Sequence, residues 1–565
     1  MRKPGQPHKL TREQRLCELG LLVLSALFVI SLLPSLHFEP IGLDDQALIA
    51  RFSGASFSQV WSFDQFGHLR PIKNLYFWCL ARWPQLLWSL RALNVVVALG
   101  CAWLVRGLSL RLGASQLAAA SAGALWLFNP TTVTGVAWLS ASNYLFALFG
   151  ALAYVLLLDL AVEGGDAAAR SARTRALGSL AHIALLFAAL SHELALLTPL
   201  WLLFRELRRP RATKRQARSM AIDALVVALL PAALRVFQSA PQLQYRTELP
   251  ALQLIASAAH NLEQNLRLWL WPYNSFGVLL SQTTALSAAV AFASWFALVL
   301  CAGLLWKLAR RDELVALALA WLLLFLLPLI NLIPIGNTPV AVHYLIIPSV
   351  GLVWLVARAG AAVAPKPLMA AATAALMLVW QPAFRQNVNA FASTTSLYET
   401  TLANYPSNLE ARVNLIAAYA NAGELSKAHG LLDSSLQLAP DHPGLLKNQL
   451  AMFFKEQRFP EALAALDQHP ELVRADPELN LRRALVLKQL GREREAEPLF
   501  QRIYSGPAAP QLRLIAGFQL ANIWAQAQRL SEAQAVLRSL RSEFPDNQDV
   551  SFTLQLIDAA LAPQN

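Results

Sequence analysis

Four short clusters hold the side chains of this 565-residue sequence that could do chemistry. Gly42-Leu43-Asp44-Asp45 places two carboxylates side by side, and His68-Leu69-Arg70-Pro71-Ile72-Lys73 follows with two cations about one helical turn apart. Ser191-His192-Glu193 lies between two apolar runs, and Val342-His343-Tyr344-Leu345 opens another. A carboxylate can remove the proton of an incoming hydroxyl, and Arg or Lys can neutralise a phosphate that departs. Asp44 and Asp45 are therefore the catalytic candidates, and Arg70, Lys73, His192, Glu193, His343 and Tyr344 the substrate-binding ones. Each cluster also has an ordinary reading. Adjacent Asp residues cap helices, Arg70 and Lys73 could touch anionic headgroups, His192-Glu193 could be a solvated turn, and a lone His343 could be a packing residue.

The elements that must position these residues are those of a membrane protein. Hydrophobic residues make up 56% of the chain and charged ones 15%, with mean hydropathy +0.41, where soluble domains run nearer a quarter charged. The charge is unevenly placed: residues 1–385 carry 31 Lys/Arg and 16 Asp/Glu, and residues 386–565 carry 16 and 19, so the net +12 divides into +15 and −3. A hydrocarbon core of roughly 30 Å needs about 20 mostly apolar residues per helix. Candidate spans are 19–36, 88–105, 116–135, 143–162, 177–191, 194–204, 219–237, 284–306, 314–333, 343–357 and 367–382, with 251–272 an apolar stretch of interfacial or re-entrant kind. The expected fold is all-α: a polytopic domain over 1–385 of about eleven to thirteen spans, with outer loops 37–87 and 238–283, then a second domain over 386–565.

Arg2, Lys3, Lys9, Arg12 and Arg15 precede the first span, which lacks a small-residue cleavage site and so resembles an uncleaved signal anchor with a cytoplasmic N-terminus. That choice puts 106–111, 163–176, 205–218, 307–313 and 358–366 inside; with residues 1–18 they hold 22 of the 31 Lys/Arg, as the positive-inside bias requires. All four chemical clusters then share the outer face, together with everything after 382. The basic residues lie between apolar spans instead of forming a patch with aromatics, which argues against a nucleic-acid partner. Cys17, Cys79, Cys101 and Cys301 have no metal-binding or disulfide-framework spacing. Two adjacent acids can hold a divalent ion, but no further acidic cluster completes a shell, so no metal and no cofactor is expected.

The second domain carries an internal period. A small turn followed five residues later by Ala recurs at Gly423/Ala428, Gln457/Ala462, Gly491/Ala496 and Gln528/Ala533, spaced by 34, 34 and 37 residues. Pro406 and Pro440 keep the same register. This is the period of tetratricopeptide helix–turn–helix units, in which small Ala lets paired helices close up while Leu415, Tyr419, Leu431 and Leu432 stack on the next repeat. An extracytoplasmic α-solenoid of this kind presents a groove to a peptide or partner.

The order of these features resembles the glycosyltransferase C superfamily, most closely the multi-span protein O-mannosyltransferases with C-terminal tetratricopeptide repeats. GLDDQALI at 42–49 is similar to that family's first-loop diacidic motif, HLRPIKNLYFW at 68–78 to its Tyr-Arg-Pro-Leu element, and LRALNVVVALG at 90–100 to its His-x-x-Asn stretch. FNPTTVTGVAW at 128–138 resembles its His-Pro segment, LSHELALLTPL at 190–200 its Lys-Glu turn, and HYLIIPSVG at 343–351 its Arg-Tyr-Leu-Tyr-Leu-Pro-Ser-x-Gly element. The resemblance implies inverting transfer of a sugar from a polyprenyl-phosphate carrier to an extracytoplasmic protein or surface glycan, without metal. Asp44 or Asp45, the former favoured, would be the general base, Arg70 would bind the phosphate or position the loop, and Glu193 and Tyr344 would shape the pocket. His192 stands where the family has Lys, His343 where it has Arg, Asn129 where it has His, and Ser142-Asn143-Tyr144 where it has Arg-Ala-Asp. Two histidines that protonate on phosphate binding would make activity fall above about pH 7.

The resemblance also implies a bacterial inner-membrane location with periplasmic repeats, and a bilayer, a lipid-linked sugar and a protein or glycan acceptor as partners. Two other functions compete. A polysaccharide ligase or polymerase would share the cationic lipid site but needs a large late outer loop, and 334–342 is short and uncharged. A non-catalytic scaffold or lipid-carrier transporter would use the repeats to assemble a complex.

Overall fold

The computed structural model describes residues 11–42, 44–63, 68–162, 167–208, 251–273, 286–330, 340–545 and 547–561, with scattered positions in 220–229. All regular structure among them is helical. The expected span 219–237, most of loop 334–342 and the ends of loop 238–283 lie outside the described residues.

Among the described residues six helices are long and apolar enough to cross a membrane: Arg12–His37, Pro84–Arg111, Leu139–Ala161, Arg173–Ser191, Ala288–Ala309 and Lys366–Ala390. Three further apolar helices, Gln116–Phe128, Glu313–Leu329 and Ser349–Val363, are shorter. Several expected spans are interrupted for local reasons. The run 116–135 breaks at Asn129, whose side chain accepts from the Thr131 N–H, because Pro130 has no N–H to continue a helix and starts a new one, Pro130–Ala137, instead. The run 343–357 becomes a single tight turn over Val342–Leu345 followed by a helix that starts only at Ser349. The stretch 251–272 forms the helix Ala251–Leu270, and 194–204 is divided between the turn Glu193–Leu197 and the helix Thr198–Arg208.

Contacts divide the chain into two compact units, Met1–Asn408 and Leu409–Asn565. The first therefore runs past residue 385: Lys366–Ala390 stays helical through Pro382, and Gly42 donates its backbone N–H to Thr394 Oγ1 at 2.7 Å, which ties the helix Thr394–Asn404 to the first loop. Three buried tryptophans centre the core of this unit. Trp201 and Trp321 pack edge to face at 5.2 Å and Trp321 and Trp354 at 5.7 Å, while their indole N–H groups donate to Leu317 O, Ile347 O and Ser109 Oγ. Buried indoles need such partners. Close helix approach comes from glycine: a Cβ on Gly150 would lie 2.7 Å from Ala184 O and 2.8 Å from Ala188 Cβ.

Tight contacts also show which helix ends share a side. Glu13 pairs with Lys366, Glu18 with Arg106, Asp312 with Arg358 and Asp159 with Arg205. The opposite ends of the same helices converge on residues 37–45, 137–144, 192–193, 343–344 and 391. Arg91 donates to both Ala137 O and Glu39 O, and Trp138 stacks on Phe391.

In the second unit, helices pair across tight turns whose central residue has positive φ: Gly423 (81°), Gln457 (57°), Gly491 (72°) and Gln528 (62°). The next N–H reaches back over the turn each time, Glu424 to Tyr419 O, Arg458 to Phe453 O, Arg492 to Leu487 O and Arg529 to Trp524 O, which ends the helix in the left-handed cap that glycine favours. Five residues on, Ala428, Ala462, Ala496 and Ala533 are fully buried where a larger side chain would part the two helices.

Two predictions follow from this packing. Gly150→Leu should lower the thermal midpoint, by a cost of about 1–3 kcal/mol for overpacking, whereas Gly178→Leu, which faces open space, should leave it unchanged. Gln528→Gly removes a side chain from the left-handed region and should stabilise its hairpin by up to about 1 kcal/mol, read as slower amide exchange across 510–543.

Candidate functional site

The site is assembled on the turn 138–144, which joins the helix Pro130–Ala137 to Ser142–Val162. Asp45, the first residue of the helix Asp45–Phe52, has no exposed surface. Its Oδ1 accepts the Ser140 N–H at 2.9 Å and its Oδ2 the Ile41 N–H at 3.3 Å. Burial pushes its carboxyl up to about 6, against the opposing pull of the Ser140 hydrogen bond and the Arg91 charge. Asp44 precedes it at the cap position, partly exposed, and its side chain makes no capping hydrogen bond. The two adjacent acids thus differ: Asp45 fastens the first loop to the turn, and Asp44 is left partly exposed.

Arg70 caps the helix Pro71–Arg82, where Pro71 is tolerated because the first helical N–H has no partner to lose. Its guanidinium forks onto Glu193, Nε to Oε2 at 2.9 Å and Nη2 to Oε1 at 2.5 Å, and His68 Nδ1 lies 3.2 Å from the same Oε1. Burial opposes the ionisation of Glu193, but Arg70, His192 and the His68 hydrogen bond hold its carboxyl well below the usual range. Lys73, one turn on, is buried on the same helix.

Histidines and aromatics form the other wall. Tyr144 packs on His192 at 4.2 Å, on His343 at 5.3 Å and on Tyr344 at 6.5 Å, while Trp138 meets His343 edge to face at 5.2 Å. His192 Nδ1 accepts the Leu194 N–H at 3.1 Å and so caps the turn Glu193–Leu197. Burial depresses both imidazoles: His343 falls to about 3, helped by the charges of Arg70 and Lys73, and His192 falls well below its ordinary value despite the pull of Glu193. Burial therefore favours the neutral form of both rings.

All eight sequence candidates lie in this region, with Arg70 and Glu193 joined directly and His343 and Tyr344 in ring contact at 4.6 Å. Sequence reasoning passed over the residues that connect them. Arg91 was visible as a lone cation inside an apolar run, a signal of function or pairing; Trp138, Ser140, Asn143 and Tyr144 gave none that spacing could reveal. Among the described residues no group of three His, Cys, Asp or Glu side chains is disposed to hold a metal ion. No protein family matches the chain, and no curated protein sequence matches it.

The histidines carry a pH prediction. Their folded values lie below the unfolded 6.5, so their stabilising contribution is complete above that pH and is lost as pH falls toward the folded values. Asp45, raised in the folded state, works in the opposite sense. The thermal midpoint of His343→Gln should therefore drop less than that of the wild type between about pH 7.5 and pH 5. Parallel melting curves in the two proteins would refute a buried neutral His343.

Proposed function

We propose that the chain is an inverting glycosyltransferase of the C superfamily, which moves a sugar from a polyprenyl-phosphate carrier to an extracytoplasmic protein or surface-glycan acceptor. One observation carries the reading: an accessible acid, Asp44, stands beside a buried one on the loop that the turn 138–144 fastens into the same region as Arg70, Lys73 and the histidine–tyrosine wall. In the reaction, the acceptor hydroxyl gives its proton to Asp44 while its oxygen bonds to the anomeric carbon from the face opposite the carrier. The bond from that carbon to the phosphate oxygen breaks, and the electron pair leaves with the polyprenyl phosphate. Lys73 and the Arg70–Glu193 pair stabilise the departing anion through charge and fixed donors. No redox partner enters the balance.

The arrangement of ion-paired helix ends supports an orientation with the basic ends cytoplasmic and the site outside, in a bacterial inner membrane. The remaining apolar runs supply the further spans of a glycosyltransferase C-like domain. The repeated hairpins of the second unit are read as a tetratricopeptide-like solenoid that recruits the acceptor.

Asp44→Asn should cut transfer by about 10²–10⁴ and leave the melting temperature unaltered, whereas Asp45→Asn should lower both. The measurement is mass spectrometry of extracytoplasmic proteins and glycans from a deletion strain complemented with each variant. Full transfer by the double Asp44→Asn, Asp45→Asn variant would sink the assignment. A deletion strain with unchanged glycans but a lost protein complex would favour a scaffold.

A further inference from the structure

Four side chains near Tyr144 carry five buried polar atoms with no hydrogen-bond partner among the described residues. They are the Trp138 indole N–H, both ends of the Asn143 amide, His192 Nε2 and His343 Nδ1. Asn143 and His192 are only 1% and 2% exposed. A buried donor or acceptor left unpaired costs about 1–3 kcal/mol, and folded proteins keep few of them. Trp138 and Tyr144 both meet the His343 ring, Tyr144 also meets His192, and Asn143 adjoins Tyr144 in the chain. A bound ligand is a partner that would satisfy them.

Their chemistry specifies that partner. The Leu194 N–H donates to His192 Nδ1, so the neutral ring carries its proton on Nε2, which is an unpartnered donor. Trp138 Nε1 and Asn143 Nδ2 are donors and Asn143 Oδ1 is an acceptor. A phosphate at this pH offers mainly acceptors, and a prenyl tail offers neither. A ring bearing several hydroxyls, each able to donate and accept, matches the mixed set. No cation among the four awaits a carboxylate.

We infer that Trp138, Asn143, His192 and His343 form the subsite for an uncharged sugar ring, beside the Arg70–Lys73 region that faces the carrier phosphate. This rests on the glycosyltransferase reading and adds to it the class of sugar, neutral hexoses in preference to uronic acids, and the residues that select it.

The test uses the purified full-length protein and undecaprenyl phosphate, either bare or carrying mannose, glucose, galactose or N-acetylglucosamine. The wild type should bind at least one glycosylated carrier about tenfold or more tighter than the bare one, the worth of a hydrogen bond or two. Asn143→Leu should bind the bare carrier as the wild type does and lose that preference. Because no described residue pairs with the amide, Asn143→Leu should melt no lower than wild type. If Asn143→Leu does not fold, the amide is structural and the subsite is overturned; Trp138→Phe repeats the binding comparison with a smaller change. Equal binding of bare and glycosylated carriers by the wild type, or a preference that survives these substitutions, overturns the subsite but spares the lipid-phosphate reading. Failure to bind any of the carriers overturns both.

Discussion

A carboxylate out of reach of solvent persists only where donors are aimed at it, and Asp45 is held by backbone N–H groups from two segments, Ile41 and Ser140. Arg91 repeats the device with the opposite charge, donating to Glu39 O and Ala137 O. Each residue thus bridges the segment 39–45 and the segment 137–140, one by accepting and one by donating. Removing either would leave the other buried charge without the compensation its neighbour supplies through space. Everything else in the site hangs on this double tie, because Trp138 and Tyr144 flank it in sequence and hold His343 and His192 in space.

The electrostatics of the region follow from the same economy of exposed charge. Arg70 is held by the Glu193 carboxylate in a two-pronged fork, a geometry that fixes the guanidinium plane and keeps Glu193 ionised. Lys73 is buried on the same helix, and burial together with those cations disfavours a charge on His343. A neutral ring can present a fixed donor or acceptor without asking for a counter-ion, so under the proposed function the wall around Tyr144 would sort ligands by hydrogen-bond pattern, with charge on the Arg70 side.

How much of this the sequence discloses depends on the range of the interaction. The turns of the second unit are local: a helix ends where a residue adopts the left-handed conformation, and the period of Gly423, Gln457, Gly491 and Gln528 with their following alanines is readable directly and recurs as four positive-φ caps. The clusters at Asp44, Arg70, His192 and His343 are also legible, since ionisable groups at the ends of apolar runs are conspicuous. What is not legible is which neighbour each one finds. That Asp45 and not Asp44 is the buried member depends on Ser140, 95 residues away, and that Trp138 meets His343 depends on a pairing across about 200 residues of chain. Hydropathy alone also ran through the break at Asn129-Pro130, where a side-chain cap ends an apolar run that composition treats as continuous.

The distribution of basic residues links these levels. In the proposed orientation, the cytoplasmic ends of the helices hold most of the Lys and Arg, and several are tied there by Glu13, Glu18, Asp159 and Asp312. The same bias that orients the chain depletes the outer loops of cations, so an outer site that handles a lipid phosphate must work with very few. It can do so only if each remaining cation is fixed in place, as Arg70 is by Glu193, and if neutral donors supply the rest of the stabilisation. Under the proposed function, histidines where the resembled family carries Lys and Arg would fit that constraint: they would lower the charge of the site and shift the burden of recognition from the phosphate toward the group attached to it.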